Sequence, residues 1–171
     1  MPSGMISAFR APSISQRASL TTCLGLLILS HTLQHTVDFR FAHLGVAVPD
    51  LERSLGDYRE LFGYTLSSGP FDDPIQKVRV CFISRGNEPQ IELIAPLTDD
   101  APIRQLLAKG GGAYHVCYEV DEMEAAITFL RGNKCMLISG PVPAVAFAGR
   151  RIAWFYTPAR QLVEIVESPP R

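Results

Sequence analysis

The stretch GGGAYHVCYEVDE, Gly110 to Glu122, places a histidine in an alternating apolar segment of the kind that forms a half-buried β-strand. An earlier stretch, FAHLGVAVPD, residues 41–50, has the same pattern, with His43 in the position of His115. In both cases an acidic residue follows the strand, and a helical spacing of apolar residues begins there. The sequence therefore predicts two copies of one strand-helix unit.

Three further strand-like stretches follow each helix. In the first copy these are YTLSS, KVRVCFI and QIELIAP, and in the second they are CMLIS, RRIAWFYT and QLVEIVE. We predict module one at residues 39–98 and module two at residues 111–168, joined by a linker helix at 99–110. The first helix is expected to begin after an Asp50 N-cap and to stop at Gly63. The segment at 139–151 is expected to form a loop over the site.

The two copies also share an acidic residue in their last strand. Glu92 follows His43 by 49 residues, and Glu164 follows His115 by the same 49 residues. Both carboxylates are flanked by Ile, Leu or Val, where a charge is unfavourable unless it is paired or bound to a metal. Two imidazoles and two carboxylates suit a divalent ion such as zinc, nickel, cobalt or manganese. We therefore predict that these four side chains form a metal site.

The composition favours a small-molecule partner. Sixteen Lys and Arg residues against 17 Asp and Glu residues leave a formal net charge of -1, which provides no field for holding nucleic acid or an anionic membrane. The four cysteines are scattered and form no C-x-x-C pair, which indicates reduced thiols. Reduced thiols predict a cytoplasmic location.

Residues 1–38 differ in composition from the rest of the chain. They contain arginines and many serines, no acidic residue before Asp38, and an apolar run from Cys23 to Leu29. That run is shorter than the roughly 20 residues needed to span a bilayer. We expect an N-terminal extension that is disordered, mis-started or a targeting segment, and an organellar location if it is a transit peptide.

The repeated modules and their four ligand positions resemble the vicinal oxygen chelate (glyoxalase/bleomycin resistance/dioxygenase) superfamily. Within it, HLGVAVPDLERSLGDYRELFGY, residues 43–64, and the inter-module segment with its glycine run most resemble the methylmalonyl-CoA epimerases. The resemblance covers residues 41–167. It implies an α+β fold in which tandem βαβββ modules form a curved mixed sheet around the metal, and it implies a homodimer.

The resemblance also implies an isomerase that moves a proton alpha to a carbonyl of a CoA thioester through a metal-stabilised enolate. Epimerisation needs proton removal on one face of the substrate and proton delivery on the other. The pseudo-two-fold relation of the modules makes Glu92 and Glu164 the candidate pair for this transfer. Val80 stands where some relatives carry a glutamate base.

Six further residues are predicted to contact the substrate. Four of them are basic and would recognise its phosphates. Tyr114 stands where epimerases usually have a second histidine, and Gln76 with Lys77 stands where many have a Gln-Gly pair. These differences leave a different acyl substrate as an alternative. The six residues are Gln76, Lys77, Arg79, Tyr114, Arg150 and Arg151.

Three other functions occur in the same superfamily. A lactoylglutathione lyase uses the same ligand types and also moves a proton, and a non-catalytic member would only bind a small molecule. A ring-cleaving dioxygenase needs two histidines and one carboxylate, so Glu92 as a fourth ligand argues against it.

Overall fold

The computed structural model describes residues 37–170, in which the predicted strand-helix-three-strand order occurs twice. The predicted N-terminal extension therefore lies outside the described residues, apart from Val37 and Asp38. The first copy comprises β1 (Arg40–Ala47), α1 (Leu51–Phe62), β2 (Thr65–Asp73), β3 (Val78–Ser84) and β4 (Gln90–Pro96). The second comprises β5 (Gly112–Val120), α3 (Met123–Gly132), β6 (Met136–Pro143), β7 (Arg151–Tyr156) and β8 (Leu162–Glu167), with α2 (Arg104–Leu107) between the copies.

All eight strands form one mixed sheet in the order β2-β3-β4-β1-β5-β8-β7-β6. The two copies meet where β1 pairs antiparallel with β5. Within each copy the first strand pairs parallel with the last, β1 with β4 and β5 with β8. The sheet curves so far that β3 and β6, from different copies, line the same cavity. The prediction of an α+β fold with a curved mixed sheet is confirmed.

Helix α1 begins and ends at the predicted residues. The Asp50 carboxylate accepts a hydrogen bond from the Arg53 N–H at 2.8 Å, which satisfies one of the free donors of the first turn. Gly63 ends the helix with φ of 75°, in the left-handed region that glycine adopts without strain.

The linker helix is much shorter than the predicted span of 99–110. Only Arg104–Leu107 is α-helical, and turns flank it on both sides. Pro102 lacks an N–H, and positive φ angles at Gly110, Gly111 and Gly112 are incompatible with a right-handed helix. The apolar spacing in this segment comes instead from Ile103, which is buried, and from Leu106 and Leu107 beside the same cluster.

Two strands continue through segments expected to be turns or loops. Strand β2 extends to Asp73 across a proline, and β6 extends to Pro143 across another. Both strands lie at an edge of the sheet, where a missing N–H leaves no ladder bond unmade. Their pairing to β3 and β7 contains register shifts at these points. Only the later part of the predicted loop at 139–151 leaves the sheet, as a 3₁₀ turn at Val145–Phe147.

Each long helix packs on the outer face of its own half of the sheet. Leu51 of α1 packs in a cluster with Ile83 and Leu93 of the sheet. Met123 of α3 packs in another cluster with Phe155. Burial of these outer-facing residues anchors the strands and leaves the inner face of the sheet for the polar side chains. No helix within residues 37–170 is long and apolar enough to cross a membrane.

Leu93 and Leu61 provide a matched test of this packing. Leu93 is fully buried beneath α1, whereas Leu61 is 72% exposed on α1 itself. We expect Leu93→Ala to lower the free energy of unfolding by about 2–5 kcal/mol, because it leaves a cavity in the core. Leu61→Ala should change it by less than about 0.5 kcal/mol. Urea unfolding followed by circular dichroism measures both, and equal effects would contradict the assigned core.

Candidate metal centre

The four predicted ligands lie together on the inner face of the sheet. His43 is on β1, Glu92 on β4, His115 on β5 and Glu164 on β8, the four central strands. Their side chains are all nearly buried, with exposures of 1%, 6%, 3% and 2% respectively. One ligand atom from each lies within 4.8 Å of those of the other three.

The strand register explains how equal spacings in sequence produce one cluster. Gly45, two residues after His43, pairs across the sheet with His115 on one side and with Glu92 on the other. Cys117, two residues after His115, pairs likewise with His43 and with Glu164. Because alternate residues of a strand share a face, all four ligands must point to the same side.

Gly45 is required by the close approach of the His115 ring. A Cβ atom at position 45 would lie 2.2 Å from His115 Cε1 and 2.3 Å from Nδ1, well inside van der Waals contact. The glycine therefore allows the imidazole to lie flat against β1 with its Nε2 directed at the other ligands. The equivalent position in the second copy is Cys117, which is fully buried.

The separations between ligand atoms fit a divalent ion. Nε2 of His43 lies 3.0 Å from Nε2 of His115, 3.3 Å from Glu92 Oε2 and 3.4 Å from Glu164 Oε2. Nε2 of His115 lies 3.5 Å and 3.4 Å from the same two oxygens. Metal–ligand bonds of about 2.0–2.2 Å place neighbouring ligand atoms at about these separations. Glu164 Oε2 is buried without a hydrogen-bond partner within residues 37–170, which leaves its lone pairs available to an ion.

Mutual charge shifts the pKa values of His43 and Glu164. Burial disfavours the His43 imidazolium, but its attraction to the nearby Glu164 and Glu92 carboxylates outweighs burial and raises the His43 pKa to about 9. Burial also disfavours the Glu164 carboxylate, but His115 and His43 lower its pKa to about 2. In the metal-free protein the cluster is thus held together by a proton on an imidazole.

Aromatic rings that the sequence analysis did not identify surround the cluster. Phe147, in the 3₁₀ turn of the second copy, stacks on His43 of the first with ring centroids 5.8 Å apart and an interplanar angle of 20°. Trp154 meets the His115 ring edge-on at 4.7 Å, and Phe82 meets His43 edge-on at 5.4 Å. Trp154 and Phe82 alternate with outward-facing residues on β7 and β3, so the strand pattern could have placed them on the inner face of the sheet. No comparable pattern predicts the conformation of the turn that carries Phe147.

A cavity of about 350 Å³ opens from the cluster and is lined mainly by apolar side chains. Of the predicted substrate residues, Gln76 and Tyr114 line it. Val80 also lines it and is buried. The Tyr114 ring lies edge-on to His115 at 5.2 Å, and burial raises the pKa of its hydroxyl.

Asp73 is a buried carboxylate in the cavity lining that the sequence analysis missed. Its Oδ1 accepts hydrogen bonds from the N–H groups of Ile75 and Gln76, each at 2.9 Å, and its Oδ2 accepts one from the Gln76 side-chain amide at 3.1 Å. These three donors replace the water lost on burial. Asp73 therefore closes the β2–β3 turn and holds Gln76 at the cavity wall.

The four predicted basic residues do not line the cavity. Each forms an ion pair with a carboxylate, which compensates its charge. Arg79 Nε donates to Asp72 at 2.6 Å, and Arg151 pairs with both Glu167 and Glu124. The remaining pairs are Lys77 with Asp100 and Arg150 with Glu119. The alternation of apolar and polar residues predicted that these basic residues lie on or beside strands. It did not indicate which acidic side chains they would meet.

Comparisons with known proteins agree with the fold. A family model for the Glyoxalase/Bleomycin resistance protein/Dioxygenase superfamily matches residues 42–154. The ethylmalonyl-CoA/methylmalonyl-CoA epimerase of Cereibacter sphaeroides is 34% identical over 119 residues, which is 68% of this chain and 87% of that protein. The mitochondrial methylmalonyl-CoA epimerase of Homo sapiens is 34% identical over 147 residues, 81% of this chain and 77% of that protein. The crystal structure of methylmalonyl-CoA epimerase from Mycobacterium tuberculosis superimposes with a TM-score of 0.68 at 25% identity, covering 77% of this chain and 89% of that one.

The raised pKa of His43 makes metal binding dependent on pH. An ion must displace the proton that His43 carries below about pH 9, so metal affinity should increase with pH and level off near that value. At pH 7.5 we expect release of about one proton for each ion bound. Calorimetric titration with zinc in two buffers of different ionisation enthalpy measures this number. Binding without proton release between pH 6.5 and 9 would contradict the assignment.

The same shifts predict how the metal-free protein responds to pH. His43 contributes stability that is complete below its ordinary pKa of 6.5 and is lost as the pH rises through about 9. Glu164 contributes stability that is complete above 4.5 and is lost as the pH falls through about 2. Both contributions are complete between pH 4.5 and 6.5, so the unfolding temperature of the metal-free protein, measured from pH 2 to 9, should be highest in that interval.

Gly45→Ala tests the close approach of β1 to the His115 ring. The added methyl group would displace the imidazole, so we expect metal affinity to decrease at least about tenfold while the sheet still forms. Gly56→Ala is the control, because a Cβ on this helical glycine meets nothing within 4 Å and should stabilise α1 by about 0.5–1 kcal/mol. Metal content and zinc titrations measure the effect. Wild-type affinity in Gly45→Ala would show that His115 does not need this space.

Proposed function

The chain belongs to the glyoxalase/bleomycin resistance protein/dioxygenase superfamily, and from this premise we propose that it is a metal-dependent epimerase of an acyl-CoA thioester. The observation that carries the proposal is a nearly buried set of two imidazoles and two carboxylates beside an apolar cavity, in which each imidazole Nε2 lies 3.0–3.5 Å from the other imidazole and from both carboxylates. Relatives that are 34% identical over most of this chain are methylmalonyl-CoA epimerases, which supports the substrate class.

The reaction inverts one carbon without net oxidation or reduction. A proton leaves the carbon between a thioester and a second carbonyl group, and a proton returns to the opposite face. A divalent ion at His43, Glu92, His115 and Glu164 would supply positive charge that stabilises the enolate oxygen. The apolar walls of the cavity exclude water, which strengthens that stabilisation.

We assign proton removal and return to Glu92 and Glu164, the two ligand carboxylates that line the cavity. They come from equivalent positions in the two copies, on β4 and β8, so they approach a central substrate from different sides. In the metal-free protein His115 and His43 lower the Glu164 pKa to about 2, so this carboxylate is ionised at neutral pH, the state in which it can bind an ion. Gln76, held by Asp73, and Tyr114 would contact the acyl group from the cavity wall.

Several finer predictions accompany this proposal. Zinc, nickel, cobalt and manganese all remain candidate ions, because the four side chains suit each of them. A homodimer and a cytoplasmic or organellar location also remain predictions. Metal analysis of the purified protein and light scattering address the first two directly.

Exchange of the substrate α-proton in D₂O, followed by NMR, tests the proposal. We expect the metal-loaded protein to incorporate deuterium into methylmalonyl-CoA and to show no turnover of the methylglyoxal-glutathione hemithioacetal, the substrate of a lactoylglutathione lyase. His115→Ala should slow exchange at least about 100-fold, because enolate stabilisation is lost. Leu61→Ala, on the outer face, is the control.

The outcomes separate the candidate functions. Turnover of the hemithioacetal in place of the CoA ester would assign the lyase activity. The absence of exchange with either compound in a metal-loaded protein would leave a non-catalytic binding protein and overturn both enzymatic assignments.

A further inference from the structure

A second cleft, of about 630 Å³, lies next to the metal centre. It runs between the α2 segment, with Gln105 and Lys109, and the turn that joins β7 to β8, with Arg160 and Gln161. It shares five lining residues with the apolar cavity, including Tyr114 and the metal ligand His115. The cleft and the cavity therefore share part of their walls beside the metal centre.

The cleft is positively charged. Its lining includes two cations and two amides, and none of its lining residues within 37–170 is a carboxylate. Lys109 and Arg160 are both exposed, and no Asp or Glu of the described chain forms an ion pair with either. Their charge is therefore uncompensated, unlike that of the four basic residues predicted from the sequence.

Most Lys and Arg residues within 37–170 form an ion pair with a carboxylate. Six of them form no ion pair with a carboxylate in this part of the chain, and only two of the six line either cavity. Those two are Lys109 and Arg160. The six residues are Arg53, Arg59, Lys109, Arg131, Lys134 and Arg160.

We propose that this cleft binds the phosphate groups of the acyl-CoA substrate, with Lys109 and Arg160 as the contacting cations. The inference rests on the proposed function for its substrate class. The apolar cavity, with no cation in its lining, suits the acyl thioester end of such a molecule. The phosphorylated nucleotide must lie outside that cavity, and phosphate oxygens are best matched by free Lys and Arg side chains close to the opening.

Calorimetric titration with CoA itself tests the cleft without any catalytic readout. The double variant K109Q/R160Q, in the full metal-loaded chain, should bind CoA roughly tenfold more weakly than the wild type, as expected for the loss of two solvent-screened charge contacts. The wild-type affinity should also decrease as salt increases, and that dependence should be weaker in the variant.

R53Q/R131Q is the matched control, because it removes the same two charges from exposed positions on α1 and α3. It should bind CoA as the wild type does, and thermal unfolding should show that both double variants are folded. Equal CoA affinity in K109Q/R160Q and the control, or no CoA binding by the wild type, would overturn the inference.

Kinetics separate this inference from the proposed function. With methylmalonyl-CoA, K109Q/R160Q should raise KM more than it lowers kcat, and the decrease in kcat/KM should be smaller for a methylmalonyl thioester of N-acetylcysteamine, which lacks phosphates. Epimerisation with an unchanged KM in the variant would support the proposed epimerase activity and contradict phosphate binding in the cleft. CoA binding that depends on these two cations, without epimerisation, would support phosphate binding in the cleft and contradict the proposed epimerase activity.

Discussion

Two carboxylates and two imidazoles buried within 4.8 Å of one another are the constraint on which the rest of the structure depends. Charges removed from water are strongly unfavourable unless opposite charges or an ion compensate them. The protein meets this cost with a proton on His43 when metal-free, and it leaves Glu164 Oε2 without a hydrogen-bond partner among residues 37–170. Packing on the outer face of the sheet, beneath α1 and α3, supplies the stability that holds this arrangement.

The relation between the two copies determines the geometry of the site. Each copy contributes one imidazole from its first strand and one carboxylate from its last, and the antiparallel pairing of β1 with β5 brings the two sets together. Residues 45 and 117 lie at the centre of this pairing, and both are small. A side chain at position 45 would collide with the His115 ring, so the cluster requires the glycine there.

Much of the fold and site could be predicted from the sequence because the signals were local or repeated. The helix caps Asp50 and Gly63 depend only on neighbouring residues, and the 49-residue spacing linked all four ligands without knowledge of the register. The predicted length of the linker helix was too great, because the prediction followed the apolar spacing over 99–110 and gave too little weight to Pro102 and the glycines, which do not continue a helix. The basic residues were misplaced for a different reason: ion pairs such as Arg79 with Asp72 depend on which side chains meet across strands. Such contacts leave no pattern in a single chain.

The antiparallel contact of β1 and β5 also relates the two halves of the site without requiring them to be identical. Antiparallel pairing of two equivalent strands is the arrangement that a two-fold axis produces between identical subunits. A single module carries one histidine and one glutamate of the cluster, too few to enclose an ion. Because both modules lie in one chain, equivalent positions can carry different residues, as Gly45 and Cys117 do, so the two sides of the site need not have the same shape.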